Sequence, residues 1–213
     1  MLLSRRHLTF LTLMITTQAF AGPCCGPITP DAVKLTAFLD STRVERLWLV
    51  GFDVDWRTGA IQGLLDRHAP DTHCSAYVAS VADRLGVYIL RPPEHSLALL
   101  ANAQVSWLDG GLAAESGWRR LRDVVEAQTV ANRGELVIAA YRNKYPERPG
   151  HVAVVRASDI DRATLLADGP FVAQAGAYNS LSTPLARGFA NRGVWIPGGG
   201  GDIRFYAHPL TKP

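Results

Sequence analysis

Nowhere does this chain run to the roughly 20 consecutive apolar residues that a bilayer-spanning helix needs, so no transmembrane segment is expected. It also lacks a polybasic block, and its formal net charge is only +3, which excludes the electrostatic footprint of a nucleic-acid binder. Gly198-Gly199-Gly200-Gly201 is read as a flexible loop; it has no Lys-Ser/Thr ending of the kind a phosphate-binding loop requires. His68 and His73, with Asp66 and Asp71 nearby, do not recur at zinc-motif spacing. Neither a metal nor another cofactor is therefore expected. No internal repeat or linker breaks the chain, and cysteine is scarce: only Cys24, Cys25 and Cys74 are present.

What is there begins with an export signal. Arg5 and Arg6 form a basic start, Leu8 to Ile15 a short apolar core, and Ala19-Phe20-Ala21 an A-x-A cleavage site. Residues 1–21 are thus expected to be removed on export to a periplasmic or extracellular location. Ser4-Arg5-Arg6-His7-Leu8 also resembles a twin-arginine signal, which implies export after folding. Pro23 directly before Cys24 argues against a lipid anchor. The remaining residues, 22–213, suit one domain, and an apolar fraction of 47% suits a soluble globule.

Hydrophobic spacing predicts helices first and strands afterwards. Helices are expected from Thr29 to about Leu39, briefly from Gly63 to His68, and over 75–85 with Gly86 as the C-cap. Others are expected from Pro93 towards Trp107 and around 117–125. Leu47 to Val50 reads as strand or helix end, and 53–59 as turn. Strands are expected over 135–141, 151–156, 171–175 and 203–207. That order predicts an α+β fold, with N-terminal helices packed on a mainly antiparallel sheet. Trp48, Trp56, Trp107, Trp118 and Trp195 read chiefly as core residues, with one or two available to line a groove.

Three polar residues carry the chemistry. Cys74 immediately precedes a predicted helix, where the macrodipole and open N–H groups lower a thiol from ~8.5 towards ~7. In the same geometry the backbone N–H groups of Cys74 and Ser75 could hold an oxyanion. His151 opens a strand after Pro149-Gly150, a place from which an imidazole can move a proton near neutral pH. Gln174, on the next strand, could orient that ring, and Asn179 competes for the role. His73 beside the thiol could tune it or face solvent. An odd cysteine count leaves one thiol over. Sequence neighbours rarely bond to each other, so a disulfide from Cys74 to Cys24 or Cys25 is the structural alternative to a reactive thiol.

The segments Cys74-Ser75-Ala76-Tyr77-Val78, Asn132-Arg133-Gly134-Glu135-Leu136-Val137 and Gly150-His151-Val152-Ala153-Val154-Val155, in that order, resemble the papain-like cell-wall cysteine hydrolases of the NlpC type. CHAP amidases are close relatives of that class. The resemblance spans roughly Thr72 to Gly176. It implies a papain-like fold, Cys74 as nucleophile, His151 as general base and Gln174 as orienting residue. It also implies peptidoglycan or muropeptides as the substrate, with an amide of the stem peptide as the bond cut. Two positions depart from the common pattern: His73 precedes the cysteine where Asp is frequent, and Ala76 stands where Gly is. These departures leave open a non-catalytic protein that binds an envelope component or an envelope protein partner. Acyl transfer or thioester hydrolysis on the same Cys–His pair stays open as well.

Overall fold

The computed structural model describes residues 23–65, 72–190 and 193–210. Thr29 accepts a hydrogen bond from Ala32 N–H and Pro30 occupies the first turn, so α1 runs Pro30–Ser41. A short hairpin of β1 (Phe52–Val54) and β2 (Ile61–Leu64) follows. The segment read as turn thus begins as a strand, and the helix expected from Gly63 begins as one too. The part of that expected helix from Asp66 to His68 lies outside the described residues, as do Asp71 and the export signal.

α2 (Cys74–Arg84) is the central helix, and Cys74 through Ala82 are all buried along it. Burying one valine of the set, Val78 or Val81, is worth roughly 1.5–3 kcal/mol. α3 (Leu100–Leu108) starts later than the sequence suggests, and α4 (Gly111–Glu115) is a single turn. The amphipathic stretch expected around 117–125 divides into β3 (Arg119–Arg120) and α5 (Val124–Asn132). Asp123 starts the helix there by accepting from Glu126 N–H at 2.8 Å, a cap that periodicity alone does not register.

The expected strands form as β4 (Leu136–Tyr141), β5 (His151–Val155), β6 (Phe171–Ala175) and β10 (Arg204–His208). Sequence reading missed α6 (Arg162–Asp168), β7 (Asn179–Pro184) and α7 (Leu185–Gly188) between them. β8 (Trp195–Ile196) pairs with β9 (Gly200–Gly201), so the glycine-rich loop contains a strand. The main sheet has the order β3-β10-β4-β5-β6-β7 and is antiparallel throughout. The protein is α+β.

Both faces of this sheet are covered, so β4 and β5 are buried at every position. Ile138, Ala140, Val152, Val154 and Tyr206 join one cluster with α2, α3 and Trp48. Val137, Ala139, Ala153, Val155 and Phe205 join a second, with α5, α6, Leu185 and Phe189. Among the tryptophans, Trp48 and Trp118 are buried in the first cluster, Trp56 and Trp107 pack at its edge, and Trp195 packs at the edge of the second. Among the described residues, no helix is long and apolar enough to cross a membrane.

Cys24 and Cys25 are bonded to each other. This corrects the expectation that chain neighbours stay apart. The backbone turns sharply here, with Cys25 and Gly26 both at positive φ (77° and 79°), and Cys24 N–H donates to Ile160 O. Cys74 lies outside that disulfide.

Candidate active site

The ends of α2 fix where Cys74 sits. Arg84 and Leu85, at its C-terminus, line a cavity with Gly134 and Glu135, which lead into β4. α2 packs on β5 and β6, so its N-terminus lies at the other end of the sheet, where β4 finishes and β5 begins. Tyr141 pairs with His151 there. Cys74 and His151 therefore occupy the same end of the sheet.

Helix α3 ties that end together. Gln104, fully buried, donates through Nε2 to Ser75 O (3.1 Å) and Leu90 O (3.0 Å). Two residues earlier, Asn102 donates to Arg148 O at 2.8 Å and accepts from Asn143 N–H at 3.0 Å. One helix thus holds both the first turn of α2 and the loop leading into His151. Gly150 has no room for a side chain, since a Cβ would meet Tyr141 O and lie 2.5 Å from Asn102 Oδ1. Neither Asn102 nor Gln104 stands out in sequence, because their role depends on long-range partners.

His151 Nε2 lies 2.9 Å from Gln174 Oε1. An amide oxygen only accepts, so Nε2 carries the proton, and in the neutral ring Nδ1 holds the lone pair. The amide orientation is consistent with this, because Gln174 Nε2 donates to Tyr178 O at 3.3 Å. Phe189 meets the imidazole edge-on at 4.6 Å between centroids. Gly188 and Gly176 complete the enclosure. A Cβ on the first would come within 2.8 Å of Gln174 Oε1, and one on the second within 3.2 Å of His151 Cε1. Gly188 and Phe189 belong to α7 and its C-cap, which the sequence did not reveal, whereas Gly176 directly follows the expected strand β6.

The structure thus brings His151 and Gln174 into direct contact, both nearly inaccessible to solvent (3% and 1% exposed). Cys74 is 4% exposed and belongs to the cluster on the α2 face, whereas Phe189, packed on His151, belongs to the cluster on the opposite face. The thiol and the imidazole thus share one end of the sheet but lie on its opposite faces, Cys74 on the α2 face and His151 on the face of Ala153, Val155 and Phe189. His73, at the helix N-cap position, makes no side-chain cap. Ser75 is buried, and its carbonyl is taken up by Gln104.

Asn179 is not the partner of the imidazole. Its Nδ2 donates to the carbonyls of Val44, Leu47 and Trp48 (2.9, 2.7 and 3.1 Å), and its Oδ1 accepts from Gly176 N–H at 3.1 Å. It is a latch between β7 and the loop after α1, and it fixes the turn that carries Gly176.

His73 does not face solvent. It is buried, and its Nε2–H donates to Phe52 O at 3.0 Å. Burial holds its imidazole below the ordinary histidine range, with the Phe52 and Leu49 carbonyls offsetting part of that. The unfolded chain therefore takes up this proton first as the pH falls below about 6.5. The stability contributed by neutral His73 is complete above that value and is lost as pH falls through the lowered folded value. Urea midpoints for wild type and His73→Gln should diverge at about pH 7.5 and converge towards about pH 5; a difference independent of pH would contradict this.

Neither a family model nor a curated protein matches the chain.

Proposed function

We propose that this protein is an exported cysteine hydrolase of papain-like type that cleaves an amide bond in the peptide portion of peptidoglycan. The observation that carries the reading is the 2.9 Å hydrogen bond between His151 and Gln174, on two strands against which packs the helix that Cys74 opens. A buried imidazole held in one tautomer by an amide oxygen is the arrangement a Cys–His base requires. The antiparallel sheet and its central helix agree with the fold that the sequence resemblance implies.

In the proposed reaction Nδ1 of His151 takes the Cys74 proton, leaving a thiolate and an imidazolium. The thiolate sulfur attacks the amide carbon, and the carbonyl electron pair becomes an oxyanion. Positive dipole at the start of α2, including the Cys74 and Ser75 N–H groups, stabilises it. Collapse of the intermediate breaks the C–N bond while the imidazolium gives its proton to the leaving amine. A water molecule, deprotonated by His151, then attacks the thioester. The C–S bond breaks, the acid leaves and the thiol is restored.

Purified peptidoglycan incubated with the protein tests this reading. New free amino groups should appear without new reducing sugar ends, and prior alkylation with iodoacetamide should abolish their release. Reducing ends without amines would place the reaction on the glycan, and release of neither would overturn the reading.

A further inference from the structure

We infer that a basic cleft beside the proposed catalytic end is a recognition site for free carboxylates of an extended peptide substrate. The inference rests on the hydrolase reading for its substrate class. The cleft measures about 720 Å³ and is lined by Arg120, Arg142, Lys144 and Arg204, with Asp202 as the one acidic lining residue. Asp109, the C-cap of α3, pairs with Arg204 and lies 3.8 Å from Arg120. Those two guanidinium groups are therefore held in place and partly neutralised from behind. Tyr206 fixes the same carboxylate by donating to Asp109 Oδ1 at 2.6 Å. Among the described residues Arg142 and Lys144 have no ion-pair partner, and both are exposed. The wall thus has two cations fixed by Asp109 and two outside any ion pair, of which Lys144 rests over the Tyr145 ring at 5.1 Å, and it favours an anion with more than one acceptor oxygen.

Position connects the cleft with the site. Arg204 pairs with Ala140 on β4, and Tyr141, the next residue, pairs with His151 on β5. Arg204 alternates with Phe205, so it shares the face of Tyr206, the face that α2 and α3 cover. The cleft and the Cys74 helix therefore lie on one side of the sheet. Two strand spacings separate β10 from β5, roughly 10 Å. An extended peptide covers about that distance in three residues. A carboxylate some two or three residues from the scissile amide would reach the cleft while the amide lay at the thiol.

Calorimetry on the full chain carrying Cys74→Ala tests the cleft apart from turnover. The probes are a peptidoglycan stem tripeptide with free carboxylates and the same tripeptide with those carboxylates amidated. The free acid should bind about tenfold or more tightly, and the advantage should weaken as salt is raised. Arg142→Gln with Lys144→Gln should remove the preference; both side chains are exposed and hold no element in place, so circular dichroism should be unchanged. Equal affinity for the two peptides, or a preference that survives in the double variant, would overturn the assignment, as would binding of inorganic phosphate but of neither peptide. A clear preference in a protein that releases no amines from peptidoglycan would leave the cleft standing and remove the hydrolase reading alone.

Discussion

Cys74→Ala is expected to lower amine release from peptidoglycan by at least about 10³-fold, because no other group in the site can form the thioester. The fold should persist. Cys74 is buried among apolar neighbours of α2 and the sheet, and replacing its sulfur with hydrogen costs only about 1 kcal/mol at such a site. The exchange leaves the Cys24–Cys25 disulfide intact, since those two sulfurs are bonded to each other. Assay of the variant together with its urea midpoint separates the two effects: lost turnover at near-normal stability supports the nucleophile, and full turnover excludes it.

A second large effect is expected at the base. Alanine at position 151 would leave a cavity between Phe189 and Gln174, costing about 2–4 kcal/mol, so loss of activity there would be ambiguous. Glutamine keeps much of the volume and can still meet Gln174, yet it cannot accept a proton from a thiol. His151→Gln should reduce turnover by about 10²–10⁴-fold while remaining folded. Gln174→Ala should cost less turnover, because it removes the acceptor that fixes the tautomer and the donor to Tyr178 O but neither the proposed nucleophile nor the proposed base.

The parts of this fold that could be read from sequence are those governed by local pattern. The strands at Leu136–Tyr141 and His151–Val155 are continuous apolar runs bounded by Gly134 and Gly150, and the helix after Cys74 shows a regular apolar face closed by Gly86. His151 and Gln174 fall on neighbouring strands as the spacing suggests. β7 was hidden because Asn179 to Pro184 carries serine, threonine and proline and pairs only along one edge. α7 has four residues, too few to show a period. With both elements missed, Phe189 and Gly188 were invisible as neighbours of the imidazole pair. Asn179 looked like a rival to Gln174 because an amide near a histidine strand is ambiguous until its hydrogen bonds are known. The adjacent-cysteine bond is illegible in sequence for a related reason: the general preference against it yields where the chain is turned by two residues at positive φ.

The pairing of Cys74 with His151 is the claim on which the mechanism stands, and the rate of Cys74 alkylation measures it without requiring a substrate. Iodoacetamide modification, followed by intact mass at about pH 7, should proceed at least about tenfold more slowly in His151→Gln than in the unaltered protein, since the proposed base for the thiol proton is gone. Equal rates in the two proteins would show that the imidazole does not act on this thiol, and would contradict the account.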